Sequence, residues 1–67
     1  MSVAKVTEIT ASSTKSFEDA IQTGITRASK TLDQVQGTWI QDRVVQVSDG
    51  EITEYRVRMK ITFVLKN

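Results

Sequence analysis

The chain has 67 residues, with nine basic and eight acidic side chains and a formal net charge of +1, and it contains neither cysteine nor histidine. So balanced a charge does not indicate a nucleic-acid-binding protein, and without cysteine there are no disulfides or thiolate metal sites. The length predicts one domain, residues 1–67, near the lower limit for a self-sufficient hydrophobic core. Because small folds usually need a disulfide, a metal or a partner subunit, subunit association is expected.

Several classes of function find no support in the sequence. No stretch has the apolar run of a signal peptide or the ~20 apolar residues of a membrane span, so a cytoplasmic protein without membrane partners is expected. The absence of histidine and cysteine leaves no ordinary nucleophile–base pair, and no glycine-rich phosphate loop is present. These features predict a binding or storage protein rather than an enzyme.

The first half of the chain predicts a strand and one amphipathic helix. Residues 3–11 are the strand, and Ser13 is the preferred helix N-cap, with Ser16 as second choice. The helix has an apolar stripe at three- and four-residue steps. The stripe comprises Phe17, Ala20, Ile21, Gly24, Ile25, Ala28, Leu32 and Val35. Gly24 on this stripe indicates close approach to a strand, and Gly37 is predicted to end the helix.

The second half predicts a β-hairpin. Residues 38–47 form its first strand, and Asp49-Gly50 suits a two-residue type I′ turn. The strand after the turn alternates cleanly between apolar and polar side chains. Its apolar side chains are Tyr55, Val57, Met59, Ile61, Phe63 and Leu65. The predicted fold class is α+β: a βαββ chain whose antiparallel sheet has the third strand in the centre.

The third strand is too long for an isolated globule. It spans roughly 14 residues, or about 46 Å, whereas a compact domain of this size has a diameter near ~30 Å. One helix cannot cover its apolar face, and both outer strands have open edges that can pair with other copies. A closed homo-oligomer is therefore predicted, with a dimer that has a frayed strand end as the alternative.

The two-residue turn also predicts which side chains lie opposite each other in the hairpin. Ile40 and Val44 are placed opposite Met59 and Tyr55, on the face that the helix covers. On the other face, three cross-strand pairs are expected: Trp39 with Lys60, Gln41 with Arg58, and Arg43 with Arg56. A tryptophan there can stack on a flat aromatic ligand while the cations bind a phosphate or polarise a ring oxygen. The alternative is that Trp39 packs at a subunit interface, and a pocket at that interface would reconcile the two.

Asp42 is the candidate metal ligand. It is an acidic residue on the predicted apolar face of its strand, and carboxylates gathered around a symmetry axis can hold Ca²⁺ or Mg²⁺. A solvated surface position is the alternative interpretation for this and the other carboxylates.

The sequence resembles the dodecin family over almost its whole length. The matching segments are Lys5-Val6-Thr7-Glu8-Ile9, Ser13, Ser16-Phe17-Glu18-Asp19-Ala20-Ile21, Arg27-Ala28-Ser29-Lys30-Thr31-Leu32, Ile52-Thr53-Glu54-Tyr55-Arg56-Val57 and Ile61-Thr62-Phe63-Val64-Leu65. The resemblance implies a βαββ subunit with its sheet partly wrapped around one α-helix, assembling into a hollow homododecamer. It also implies storage or buffering of flavin, of the riboflavin, lumichrome or FMN type, without catalysis.

The resemblance places a flavin between subunits, stacked on tryptophan and hydrogen-bonded by glutamine. Ungapped alignment puts the family's tryptophan at Gly37 and its glutamine at Arg56, and puts two acidic metal contacts at Lys15 and Asp42. Trp39 lies two residues beyond Gly37, which keeps the side chain on the same strand face. The predicted flavin-binding residues are Gly37, Trp39, Gln41, Arg56, Arg58 and Lys60. The competing hypothesis is a shell without flavin that binds Ca²⁺ or Mg²⁺ or acts as a scaffold.

Overall fold

The computed structural model describes residues 3–32 and 34–65, which form three strands and one helix in the order βαββ. The elements are β1 (Val3–Ser13), α1 (Phe17–Ser29), β2 (Val35–Ser48) and β3 (Glu51–Leu65). The strands form one antiparallel sheet in the order β1-β3-β2, so the predicted central position of the third strand is confirmed. The helix packs on one face of this sheet, as the α+β prediction requires.

The helix begins one turn later than the preferred prediction. Ser16 is the N-cap, and its Oγ accepts a hydrogen bond of 3.0 Å from the backbone N–H of Asp19. Ser13 is instead the last residue of β1, paired with Tyr55. Its hydroxyl donates to Asp19 Oδ2 at 2.6 Å and accepts from the backbone N–H of Lys15 at 2.9 Å. Ser13 thus joins the strand end to the helix start without capping the helix.

The helix also ends earlier than its apolar stripe predicts. It stops at Ser29, and the chain turns through Gln34, whose φ of 49° lies in the left-handed region. Leu32 and Val35 still pack against the core, but from the connection and from the start of β2. The three-residue spacing of Leu32 and Val35 therefore continued the helical pattern in the sequence, although neither residue is helical. Gly37 lies within β2 and does not end the helix.

The core lies between α1 and the middle of β3. Its buried residues are Ala20, Ala28, Val57, Met59 and Ile61. Gly24 is also buried, and a Cβ added there would lie 2.9 Å from Met59 Cε, 3.1 Å from Ala11 Cβ and 3.2 Å from Ile9 Cδ1. The predicted close approach of Gly24 to a strand is confirmed, because even a Cβ at this position would lie in tight contact with side chains of β1 and β3.

The hairpin register is correct at both ends and wrong in the middle. Ser48 pairs with Glu51 around the two-residue turn, where Asp49 and Gly50 have φ values of 51° and 77°, as a type I′ turn requires. Farther from the turn, Ile40 pairs with Met59 and Trp39 with Lys60, as predicted. Between these regions the register is displaced by one residue.

Two of the three bulges in the β2–β3 ladder cause this displacement and compensate each other, while the third, at Gln36, lies at the start of β2. One extra residue, Thr53, stands on β3 next to the turn, and one extra residue, Gln41, stands on β2 before Asp42. The prediction placed Val44 opposite Tyr55, but Val45 occupies that position and Val44 faces Arg56. Because strand side chains alternate, residues 42–46 present the opposite faces from those predicted.

The subunit is long and thin, in agreement with the strand-length argument. Its extents are 52 × 19 × 13 Å and its radius of gyration is 13.8 Å, compared with about 11 Å for a compact chain of this length. The single helix leaves several large apolar side chains exposed. They are Val3, Val6, Trp39, Val44, Val47, Ile52 and Leu65. Within residues 3–32 and 34–65, no helix is long and apolar enough to cross a membrane.

Candidate functional site

The predicted ligand-binding side chains lie on the sheet face that points away from α1, here called the outer face. Val57, Met59 and Ile61 are buried beneath the helix, so the alternate residues of β3 point the other way. The strand pairing then assigns the neighbouring residues to the same face. The outer face includes Val6, Glu8, Thr10, Ser12, Gly37, Trp39, Asp42, Val44, Arg56, Arg58, Lys60 and Thr62.

Trp39 and Lys60 form the aromatic part of the outer face. The two residues are directly opposite in the β2–β3 ladder, as predicted. Trp39 is 65% exposed, and Lys60 Nζ lies 5.4 Å from the centroid of its ring. This distance allows a cation–π interaction. A large apolar ring is thus held on a solvated surface with one cation beside it.

Asp42 and Arg58 form an ion pair in the middle of the outer face. Asp42 Oδ2 lies 2.7 Å from Arg58 Nη2, and both side chains are about half exposed. Two predictions are wrong here: Asp42 is not on the helix-covered face, and Gln41 is not opposite Arg58. The bulge at Gln41 advances the register by one residue, which brings Asp42 to the position expected for Gln41.

Arg56 lies farther toward the turn, opposite Val44 of β2 and Ser12 of β1. It forms an ion pair with Glu54 at 3.0 Å. The predicted pairing of Arg56 with Arg43 is wrong. Arg43 faces Val57 in the ladder, and its guanidinium carbon lies 5.9 Å from the ring centroid of Phe17. The bulges therefore separate two cations that an unbroken register would have placed side by side.

A shallow depression of about 360 Å³ joins these ion pairs across the sheet. Its lining is Glu8, Thr10, Asp42, Val44, Arg56 and Arg58. Glu8 and Thr10 come from β1, opposite Lys60 and Arg58 respectively, and were not predicted. The alternation of β1 could have indicated them, but no short turn sets the register of β1 against β3.

Gly37 marks the open end of the outer face, opposite Thr62. No heavy atom lies within 4 Å of a Cβ built at Gly37, so there is free space next to Trp39 on this strand. Gln41, by contrast, is the unpaired bulge residue between Trp39 and the Asp42–Arg58 ion pair. Trp39, Arg58 and Lys60 are therefore brought together as predicted, while Gln41 occupies a different place in the ladder.

A larger depression, of about 470 Å³, lies on the other side of the sheet between β1 and α1. Ile9, Ala11, Gly24, Ala28 and Leu32 supply its apolar part, while threonines and Arg27 supply its polar part. None of the predicted ligand-binding residues lines it. The predicted binding residues and this cleft therefore lie on different sides of the sheet, although Thr10 of β1 lines both depressions.

Comparison with solved structures finds the same fold in several dodecins. The dodecin from Streptomyces davaonensis is 33% identical, with a TM-score of 0.93, over 98% of this chain and 97% of that one. A mutant of the Thermus thermophilus dodecin is 27% identical, with a TM-score of 0.95, over 100% of both chains. The calcium dodecin of Mycobacterium tuberculosis is described as a calcium-chelating antigen with a novel calcium-binding site. It is 26% identical, with a TM-score of 0.83, over 96% of this chain and 91% of that one.

Sequence comparison agrees with the structural likeness. Among curated proteins, no sequence matches the chain significantly. The family model described as Dodecin, however, matches residues 3–66. The match spans every strand and the helix, and it includes all the residues of the outer face. The chain belongs to the dodecin family.

Proposed function

We propose that this chain forms a homododecameric shell that binds a flavin of the riboflavin or FMN type at its subunit interfaces, against the outer faces of the subunit sheets. The shell stores or buffers the flavin without catalysis. Family membership supports a flavin-binding function in general, because dodecins are small flavin-binding storage proteins that form homo-oligomers. The cytoplasmic location expected from the sequence stays a prediction.

The exposed ring of Trp39 is the observation that carries this proposal. It is 65% exposed on a surface whose other side chains are mostly polar or charged, with Lys60 Nζ 5.4 Å from the ring centroid. A flat aromatic ligand can cover such a ring by stacking, and the tricyclic flavin ring offers a large π-surface for this contact. Stacking would remove the exposed apolar surface of Trp39 from contact with water, which favours binding without any change in the fold.

The neighbouring side chains have separate roles in this proposal. Arg56 and Gln41 meet the polar edge of the flavin, and Arg58 or Lys60 meets a phosphate where the ligand has one. Arginine can donate to ring carbonyl oxygens but cannot accept from a ring N–H, so an acceptor must come from another side chain, such as Gln41. The open space beside Gly37 leaves room for the ligand next to Trp39.

A second subunit would complete the site. A single outer face covers one side of a stacked ring, and β2 has an open edge on which another copy can pack. The apolar side chains that the helix does not cover, including Val44 and Val47, also support burial between copies. Interfacial binding thus reconciles the stacking interpretation of Trp39 with the alternative that it packs against a neighbour.

Replacement of Trp39 by alanine tests this proposal. Fluorescence quenching of added riboflavin and FMN is measured for the wild type, Trp39→Ala and the matched control Gln22→Ala, which changes an exposed helix residue. We expect the wild type and the control to quench both flavins, and Trp39→Ala to weaken binding by about tenfold or more, because base-on-aromatic stacking contributes roughly 1–3 kcal/mol. Equal quenching by Trp39→Ala and the wild type would exclude Trp39 as the stacking residue.

A divalent-cation site is the second candidate function, suggested by the calcium dodecin of Mycobacterium tuberculosis. In the described part of this subunit, no three acidic side chains converge on one point, and Asp42 is already paired with Arg58. A Ca²⁺ or Mg²⁺ site containing Asp42 would therefore draw carboxylates from several subunits. Calcium titration by calorimetry, with Asp42→Asn as the comparison, distinguishes this function from flavin binding.

A further inference from the structure

The three cations on the outer face of β3 are not in equivalent states. Arg56, Arg58 and Lys60 occupy every second position of the strand, so the Cα atoms of neighbouring members are about 7 Å apart. Arg56 is 3.0 Å from a carboxylate oxygen of Glu54, and Arg58 is 2.7 Å from one of Asp42. Lys60 has no carboxylate within ion-pair distance in the described residues. Its ammonium group lies over the Trp39 ring instead.

Glu8 is the one acidic side chain that faces Lys60 across the β1–β3 ladder. The two side chains do not form an ion pair in the described part of the chain, although they occupy opposing positions. Lys60 is partly buried, whereas Glu8 is exposed. Although its side chain is partly buried, Lys60 is the cation of this row that has no carboxylate partner among the described residues, so its charge is not already neutralised by an ion pair.

A ligand ring that stacks on the face of Trp39 beneath the Lys60 ammonium group competes with that group for the aromatic surface. A neutral ligand would displace the ammonium group from the ring and offer it no counter-charge. A ligand with an anionic tail would give the displaced ammonium group a new partner. Lysine suits this role, because its charge is compact and its four-carbon stem can swing between the ring and a phosphate oxygen.

From this arrangement we infer that Lys60 makes the site selective for a phosphorylated flavin, FMN, over uncharged riboflavin. This inference rests on the proposed flavin-binding function and specifies its ligand. Arg58 contributes less to the selectivity, because a phosphate must first compete with the carboxylate of Asp42. Trp39 supplies the stacking that both ligands share, so it sets the affinity common to both.

Paired titrations of riboflavin and FMN in a phosphate-free buffer test the assignment. The wild type is expected to bind FMN about fivefold more tightly than riboflavin at low ionic strength, as for one exposed ion pair. The ratio should fall toward one at about 1 M salt, where the Debye length is only ~3 Å. Lys60→Met should abolish the preference and tighten riboflavin binding by about twofold to fivefold, because the ligand ring no longer displaces an ammonium group from Trp39. Lys60→Arg should restore the preference.

Lys15→Met is the matched control, since it removes the same charge from an exposed position outside the outer face. It should retain the FMN preference of the wild type. Equal affinity for the two flavins in the wild type, or an unchanged preference in Lys60→Met, would overturn the role of Lys60 while the flavin-binding function stands. If the wild type quenches the fluorescence of neither flavin, the proposed flavin-binding function is wrong, and the inferred selectivity is wrong with it.

Discussion

Met59→Ala is expected to lower the free energy of unfolding by about 2–5 kcal/mol. Met59 is fully buried at the centre of β3, where it packs beneath the helix beside Gly24. Truncation removes buried apolar area and leaves a cavity that a helix held at both ends cannot readily fill. Denaturant unfolding at a fixed protein concentration measures the change, since subunit association contributes to the observed stability.

Met59→Leu is the matched control, because it keeps the apolar volume and should cost less than about 1.5 kcal/mol. A loss for Met59→Ala no larger than that for Met59→Leu would show that the centre of β3 is not the core of the subunit.

Gly24→Leu is expected to destabilise the protein by about 3 kcal/mol. A Cβ at Gly24 already meets side-chain atoms of Met59, Ala11 and Ile9 at 2.9–3.2 Å, so a leucine must displace these side chains before its outer carbons can reach the cleft beside β1. Gly24→Ala should show a much smaller net change. Its close contacts oppose the ~1 kcal/mol by which alanine favours a helix over glycine.

Thr26→Leu provides the comparison for Gly24→Leu, because it introduces the same side chain at an exposed position of α1. Its effect on unfolding should stay within about 0.5 kcal/mol. Thermal and denaturant unfolding of the three variants would reveal the order. Equal stabilities for Gly24→Leu and Thr26→Leu would contradict the close packing of the helix on the sheet.

The strand order and the hairpin could be predicted because strong local signals determine them. The Asp49-Gly50 turn sets the pairing beside it, and the alternation of β3 identifies the strand that needs neighbours on both sides. The helix end could not be predicted in this way. Leu32 and Val35 continue the apolar spacing of the helix, but they reach the core from the connection and from β2.

The bulges explain which part of the site could be predicted. Gln41 and Thr53 have no residue-type signature of a bulge, since neither is glycine or proline. Trp39 and Lys60 lie beyond both bulges, where the two displacements cancel, so their pairing was predicted correctly. Asp42 lies between the bulges, so its face and its ion pair with Arg58 could be found only in the structure.

Sedimentation of the protein with added FMN tests the central claim most directly. This claim is that the subunits assemble into a shell in which the exposed ring of Trp39 binds flavin. The absorbance of the protein and the visible absorbance of the flavin are recorded simultaneously during the run. A particle near 90 kDa is predicted, twelve times the 7.5 kDa chain, with flavin moving in the same boundary. A protein boundary at the monomer mass, or flavin that stays behind the shell, would contradict it.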